Sequence, residues 1–140
     1  MTQPYTTRRR VEFRDTDAAR MAHFSMFFVY MEQAEHELWR HVGLSIMLAD
    51  DEGAISFPRV EARCDYQRAV KFEDVLDIEA TIVRLGEKSI TYEFHFSHDG
   101  RPVATGQTTT VCCRFDDDGT PRSIAIPEWV AQKLQKFVVP

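Results

Sequence analysis

The sequence has no apolar run that approaches the roughly 20 residues needed to cross a bilayer. The first residues, MTQPYTTRRR, carry their charges with no apolar segment behind them, which argues against a secretory signal. The final residues, FVVP, match no lipidation signal or peroxisomal address. We therefore expect a cytoplasmic protein that does not bind a membrane.

An excess of positive charge is also missing. The 140 residues carry a formal net charge of −5, which argues against nucleic acid as a partner, and no helix-turn-helix segment is appended. Basic residues nevertheless cluster locally, at positions 8–10 and again at Arg59, Arg63, Arg68 and Lys71. Such a patch can bind a small polyanion although the protein as a whole is acidic.

Cysteine is scarce. The chain has three, Cys64, Cys112 and Cys113, and their spacing is not that of a zinc site or a disulfide framework. We predict reduced thiols that fill space, with no metal site and no redox centre. Internal repeats and linkers are absent too, so residues 1–140 are predicted to form a single domain.

The most periodic segment, residues 15–43, predicts an amphipathic helix. Its apolar residues recur at steps of three and four: Phe24, Phe27, Phe28, Met31, Ala34, Leu38 and Val42. Ser25 or His23 is the candidate N-cap, and Gly43 is expected to end the helix in a left-handed conformation. A Schellman turn there would pack Leu44 back against the last helical turn.

The rest of the chain is dominated by alternating apolar and polar residues, which is the pattern of half-buried strands. We predict strands over residues 5–14, 57–67, 75–85, 89–98 and 103–115, a loop over residues 45–54 and a short C-terminal helix over residues 127–137. Asp99-Gly100 is a strong two-residue hairpin signal between two of the strands. Because the connections are short, neighbouring strands are expected to be antiparallel.

These elements predict an α+β fold in which a long central helix is wrapped by a curved antiparallel sheet of about five strands. A single pair of layers leaves a sheet edge and part of the helix exposed. A second copy that extends the sheet would cover both, so we expect a homodimer or homotetramer.

One part of the sequence carries a resemblance to a known family. The segment VEFRDTD at residues 11–17, followed by an aromatic-rich helix start, resembles the 4-hydroxybenzoyl-CoA thioesterase-like branch of the hotdog acyl-CoA thioesterases. The segments at residues 64–68, 72–76 and 85–90 agree, so the resemblance covers roughly residues 7–115. It implies a single hotdog domain that hydrolyses an acyl-CoA thioester to a free acid and coenzyme A.

The resemblance also places the family's machinery on this chain. Its catalytic carboxylate falls on Asp17, and the backbone N–H that polarises the thioester carbonyl falls near Phe24. Lys88 and Ser89 fall close to the coenzyme A chain.

Two departures from the family bear on the acyl pocket. Many members have Gly where this chain has Arg20, in a loop that should approach the substrate, and Asn where it has Met26. We expect the pocket and the handling of water to differ accordingly.

Thioester hydrolysis needs few groups from the protein. A thiolate is a good leaving group, because a thiol has a pKa of about 8.5, so strong general-acid help is not required. A carboxylate that acts as base or nucleophile, such as Asp17, and N–H donors at a helix start suffice. Coenzyme A is then part of the substrate, and no separate cofactor is expected.

Other polar residues are secondary candidates. His23 could contact the carbonyl or position water, although a cap or a packed ring is the commoner role at a helix start. Ser25 could touch the substrate, but an N-cap is the simpler role because no G-x-S-x-G elbow surrounds it. Asp15 is expected to be a structural turn residue. The candidate partners of the coenzyme A phosphates are five cations: Arg63, Arg68, Lys71, Arg84 and Lys88.

Three alternatives stay open. Glu35 lies closest to the apolar stripe among the helix glutamates, and another hotdog branch uses a helix Glu as its carboxylate. Asp17 and His23, six residues apart, could instead serve a hotdog hydratase or dehydratase. The same scaffold could also bind acyl-CoA without turning it over. For a thioesterase, we expect the two halves of each site to come from two protomers.

Overall fold

A computed structural model describes residues 2–140 of the chain. The elements are, in chain order, β1 (Tyr5–Arg10), α1 (Met26–His41), β2 (Leu48–Asp50), β3 (Gly53–Ile55), β4 (Arg59–Tyr66), β5 (Val75–Leu85), β6 (Ser89–His98), β7 (Arg101–Val111), β8 (Cys113–Phe115), β9 (Pro121–Ser123) and α2 (Glu128–Leu134). Single turns of 3-10 helix lie at Phe13–Asp15 and Gln135–Phe137. Within this described part, no helix is long and apolar enough to cross a membrane.

Five strands form one antiparallel sheet in the order β1-β5-β6-β7-β4. The hairpin between β6 and β7 turns at Asp99 and Gly100, which both have positive φ, and it pairs His98 with Arg101. This is the conformation that an Asp-Gly turn favours. The predicted α+β class, the five-stranded antiparallel sheet and this hairpin are confirmed.

Helix α1 lies against one face of the sheet and supplies the centre of the core. Met31, Leu38 and Trp39 are fully buried there. Met31 lies directly over Gly106 of β7, where any side chain would overlap its sulfur, so this glycine lets the helix approach the sheet. The Trp39 indole N–H also donates to the buried Tyr92 hydroxyl, 2.8 Å away, which joins helix and sheet through a polar contact.

Helix α1 is shorter than the predicted apolar stripe at both ends, because it begins at Met26 and ends at His41. Its C-terminus closes as the sequence predicts. Gly43 has a φ of 85°, and the Leu44 N–H donates to the Trp39 carbonyl at 2.9 Å. The predicted Schellman turn is confirmed.

Three predicted segments need correction. The first strand ends at Arg10 rather than at residue 14, because residues 13–15 form a turn of 3-10 helix instead. The segment predicted as a loop, residues 45–54, contains most of a small hairpin made by β2 and β3. The last long strand breaks at Cys112, so that β8 leaves the main sheet and pairs with β9.

Strand β4 lies at one edge of the sheet and is exposed on both faces. The alternating pattern predicts Val60 and Tyr66 on a buried face, but their exposed fractions are 62% and 46%. The half-buried prediction is wrong here, because β4 is an edge strand and all of its residues except the half-buried Cys64 are exposed. In the part of the chain that the structure describes, β4 pairs only with β7, so its outer backbone groups face away from the sheet unpaired.

Candidate active site

A buried carboxylate fixes the loop between β1 and α1. Asp15 is 4% exposed, and its Oδ2 accepts hydrogen bonds from the Tyr30 hydroxyl and the Glu12 N–H, both at 2.9 Å. Burial first, and the hydrogen bond to Asp15 second, raise the pKa of Tyr30 well above its ordinary value, so the hydroxyl remains a donor. Asp15 is therefore a structural residue that ties the loop to α1, as predicted.

Asp17 is held through one carboxylate oxygen only. Its Oδ1 accepts the Ala19 N–H at 2.8 Å and the Met21 N–H at 3.4 Å, and its own N–H donates to the Met21 carbonyl at 2.9 Å. Oδ2 accepts no hydrogen bond from any donor within residues 2–140. The turn thus orients the carboxylate and leaves its second oxygen available, as a general base or nucleophile requires.

Asp17 lines a cavity of about 450 Å³, named here the candidate cavity. The other lining residues come from the loop, the start of α1 and the region around the end of β4: Met21, Ala22, Phe24, Phe27, Tyr66, Gln67, Arg68, Ala69 and Val70. This volume is typical of sites for small molecules. One carboxylate on walls that are mostly apolar suits a substrate whose acyl part is uncharged.

The Phe24 peptide lies just before the first turn of α1. Its N–H donates to no acceptor among the described residues, whereas its carbonyl accepts the Tyr66 hydroxyl at 2.7 Å. Burial raises the pKa of Tyr66 to about 12, so this hydroxyl stays protonated. A free N–H near the positive end of a helix is a donor that a developing oxyanion can use.

His23 and Ser25 interact with each other and do not line the candidate cavity. His23 Nδ1 lies 2.7 Å from the Ser25 hydroxyl and accepts the Ser25 N–H at 3.2 Å. The imidazole also stacks on the Phe24 ring, with centroids 4.6 Å apart. Ser25 is the N-cap residue of α1, as predicted, but its side chain makes no capping hydrogen bond; the His23 ring accepts the Ser25 N–H instead. Any contact of these two residues with substrate stays a prediction.

The residues predicted to bind coenzyme A fall in two separate regions. Arg68 lines the candidate cavity, whereas Lys88 and Ser89 lie where the chain enters β6. The Arg68 N–H donates to the Val103 carbonyl, and Ser89 pairs with Val111, eight residues further along β7. At about 3.4 Å per residue these two points lie roughly 27 Å apart. A single chain therefore does not bring Lys88 and Ser89 to the cavity.

Glu35, the rival carboxylate, is buried in a different place. It is 2% exposed, and its Oε1 accepts a hydrogen bond from Arg59 at 2.9 Å, while the same guanidinium reaches Glu32 at 3.0 Å. Desolvation raises the pKa of Glu35 to about 7, although Arg59 acts in the opposite direction. Glu35 joins α1 to β4 and does not line the candidate cavity, so the geometry favours Asp17.

Comparison with known proteins decides the family. Residues 11–134 match the Thioesterase-like superfamily. The chain belongs to this superfamily. It is also 30% identical over 132 residues to a 1,4-dihydroxy-2-naphthoyl-CoA hydrolase from Synechococcus elongatus, a match that covers 94% of this chain and 95% of the relative.

Solved structures of thioesterases share the fold of this superfamily member. A gentisyl-coenzyme A thioesterase is 28% identical, with a TM-score of 0.78 over 92% of this chain and 98% of the other. The 1,4-dihydroxy-2-naphthoyl-CoA thioesterase from Synechocystis is 21% identical, with a TM-score of 0.85 over 97% and 98%. The hotdog fold and the enzyme class, thioester hydrolase, are confirmed, whereas the 4-hydroxybenzoyl-CoA branch stays a prediction.

Tyr66 is a residue of this thioesterase-like site that the sequence did not reveal. Strand alternation assigns it only to one face of β4, and its hydrogen-bond partner, Phe24, lies 42 residues earlier. The one available signal is that Tyr66 lies inside residues 64–68, a segment shared with the resembling family. The shared segment indicates that residues 64–68 matter to the family, but it does not predict that Tyr66 contacts the start of the helix.

Arg20 adopts a strained backbone conformation in the same loop. Its φ is 66°, in the left-handed region that favours glycine, which is the residue many members of the resembling family have there. We predict that Arg20→Gly raises the free energy of unfolding by roughly 0.5–1 kcal/mol, because relief of strain exceeds the extra freedom of an unfolded glycine. Urea unfolding measures the difference.

Arg63→Gly, in the regular part of β4, is the control for that substitution and should destabilise the protein. A loss of stability in Arg20→Gly as well would mean that contacts of the Arg20 side chain outweigh the strain.

Proposed function

We propose that this chain is an acyl-CoA thioesterase of the 4-hydroxybenzoyl-CoA thioesterase-like branch, folded as a single domain. One observation carries the proposal. Asp17, with a carboxylate oxygen free of hydrogen bonds from residues 2–140, shares an apolar cavity with Phe24, whose N–H is equally free. A base or nucleophile and an oxyanion donor are the two groups that thioester hydrolysis needs. The relatives' names support coenzyme A as the thiol.

An aromatic acyl group fits the candidate cavity best. Phe24, Phe27 and Tyr66 line it and offer edge-to-face or stacked contacts to a flat ring. Two relatives are named for 1,4-dihydroxy-2-naphthoyl-CoA and gentisyl-coenzyme A, and both of these thioesters carry an aromatic ring in the acyl group. We therefore infer that aromatic acyl-CoA thioesters are the preferred substrate class.

The proposed reaction follows from the placement of two groups. The carbonyl oxygen of the thioester accepts the Phe24 N–H as negative charge develops on it. Asp17 Oδ2 either takes a proton from a water molecule that attacks the carbonyl carbon, or attacks that carbon itself to form an anhydride that water then cleaves. The carbon–sulfur bond breaks, coenzyme A leaves as its thiolate, and the free acid follows.

A second copy of the chain would complete the coenzyme A site. On β4 the Arg59 end pairs with Thr110, near Ser89, whereas the Tyr66 end lies at the candidate cavity. If two β4 strands pair antiparallel about a twofold axis, the far end of one sheet therefore comes to lie beside the cavity of the other. Such a dimer brings Lys88 and Ser89 of the partner subunit toward the substrate held by Asp17.

Light scattering after size-exclusion chromatography tests this arrangement. We expect an active particle of at least twice the 16.2 kDa chain mass, because the unpaired β4 edge is exposed in the monomer. A stable monomer with full activity would contradict a site shared between two protomers.

Mass spectrometry of the products separates thioester hydrolysis from the two other candidate functions. Incubation with an aromatic acyl-CoA and with an enoyl-CoA should yield free acid and coenzyme A. Addition of water to the enoyl chain, with the thioester intact, would support a hydratase. His23 does not line the candidate cavity that holds Asp17, which argues against that role. Tight binding with no product would support a non-catalytic acyl-CoA-binding protein.

A further inference from the structure

The Phe24 N–H lies in a backbone segment whose other N–H groups are all paired. Within residues 22–26, the remaining four donate to acceptors on Val70, Asp15 and His23 at distances from 2.8 to 3.2 Å. Phe24 alone among these five has an N–H without an acceptor in the described part of the chain. The free donor is therefore a single position in a segment that is otherwise fixed by hydrogen bonds.

The peptide on the N-terminal side of Phe24 is held by the start of α1. Its carbonyl, which belongs to His23, accepts the Met26 N–H at 2.9 Å. The carbonyl and the N–H of a planar trans peptide point in opposite directions. The Phe24 N–H is therefore directed away from Met26.

The peptide on the C-terminal side, between Phe24 and Ser25, is held at both ends. Its carbonyl accepts the Tyr66 hydroxyl at 2.7 Å, and its N–H donates to His23 Nδ1 at 3.2 Å. Because each peptide is planar, holding the two peptides that flank Phe24 fixes the φ and ψ of this residue. The direction of its free N–H is fixed with them.

Tyr66 is well placed to hold this peptide. Its ring packs edge-to-face on the Phe27 ring of α1, with centroids 5.2 Å apart, so the phenol is itself oriented by the helix. Burial raises the pKa of Tyr66 to about 12, so the hydroxyl keeps the proton that it donates. The bond joins the end of β4 to a residue 42 positions earlier, which ties the helix start to the sheet.

We propose that Tyr66 is a positioning residue for thioester hydrolysis, whose hydroxyl holds the Phe24–Ser25 peptide so that the Phe24 N–H stays aimed at the thioester carbonyl oxygen. This inference rests on the proposed function, in which that N–H is the oxyanion donor. A donor that is fixed before the reaction needs no reorganisation when negative charge develops on the oxygen. Loss of the Tyr66 hydroxyl leaves the N–H in the site but lets it move.

Steady-state kinetics of Tyr66→Phe with an aromatic acyl-CoA test the proposal. The substitution keeps the ring that lines the candidate cavity and removes only the hydroxyl. We expect kcat to fall about tenfold to 100-fold and KM to stay within about twofold, because a displaced donor costs less than a removed one and acts mainly in the transition state. The matched control, Tyr5→Phe, removes a hydroxyl on β1 outside the cavity and should leave both constants unchanged. Thermal unfolding confirms that both variants are folded.

Selective isotope labelling for NMR reports on the hydrogen bond itself. With ¹³C at the carbonyl of every Phe and ¹⁵N in every Ser, the sequence gives two linked signals, from the Phe24–Ser25 and Phe96–Ser97 peptides. In Tyr66→Phe the Phe24 carbonyl signal should shift, because it has lost its hydroxyl donor. The Phe96 carbonyl signal, from β6, should stay where it is and serves as the internal control.

The outcomes separate the positioning role from the proposed function. An undiminished kcat in Tyr66→Phe would overturn the positioning role and leave the thioesterase intact. A fall in kcat without a shift of the Phe24 carbonyl signal, or a rise in KM alone, would overturn it as well. Absence of thioester hydrolysis by the wild-type protein would instead overturn the proposed function, and the positioning role with it.

Discussion

Asp17→Asn is expected to lower kcat for thioester hydrolysis at least about 100-fold, with a melting temperature close to that of the wild type. The amide keeps the size of the side chain, and its oxygen can still accept the Ala19 N–H that orients residue 17. What it loses is the negative charge that activates water or attacks the thioester carbon. Thiol release at saturating acyl-CoA and thermal unfolding of the same preparation measure the two effects.

Asp51→Asn is the matched control for this substitution, because it removes one negative charge at an exposed turn between β2 and β3. We expect its kcat to stay close to that of the wild type. Full activity in Asp17→Asn would make Asp17 a structural residue, and Glu35 would become the next carboxylate to test.

Glu35→Gln is expected to stabilise the protein at pH 8 by about 3 kcal/mol, which corresponds to a melting temperature roughly 10 °C higher. Desolvation raises the folded-state pKa of Glu35 from 4.5 to about 7. A raised carboxyl pKa means that the neutral acid contributes stability fully below pH 4.5, and that this contribution is lost as the pH rises through about 7. Glutamine stays neutral, so it avoids the cost of a buried charge and still offers an oxygen to Arg59.

Thermal unfolding at pH 5 and pH 8 checks this expectation. The two proteins should unfold at similar temperatures at pH 5, and the gap should open as the pH rises. Glu32→Gln is the control, because it alters the same Arg59 cluster at a side chain that is 50% exposed. Lower stability of Glu35→Gln at both pH values would show that the ionised Glu35–Arg59 pair is a net stabilising contact.

The local parts of the fold are those the sequence predicts well. The apolar stripe of α1, the Schellman turn at Gly43 and the Asp99-Gly100 hairpin all depend on neighbouring residues, so their patterns lie in short segments. The burial of β4, by contrast, does not depend on neighbouring residues alone. Its alternation is that of a half-buried strand, but its position at the sheet edge is a property of the whole fold and leaves Val60 and Tyr66 exposed.

The candidate site shows the same division. Asp17 and Phe24 are close in sequence, so one motif suggests both and the structure places both on one cavity. The contact of Tyr66 with Phe24 joins the end of β4 to the start of α1, which no local pattern encodes. Lys88 and Ser89 lie at the opposite end of the sheet, so their proposed part in the site depends on the arrangement of two protomers.

The most direct test of the proposed function is thiol release by the wild-type protein from a panel of aromatic, short-chain and long-chain acyl-CoA thioesters. We predict that aromatic thioesters are hydrolysed, that they give the highest kcat/KM of the panel, and that free acid and coenzyme A appear in equal amounts. Binding of these thioesters without release of thiol from any of them would contradict an acyl-CoA thioesterase built on Asp17 and the Phe24 N–H.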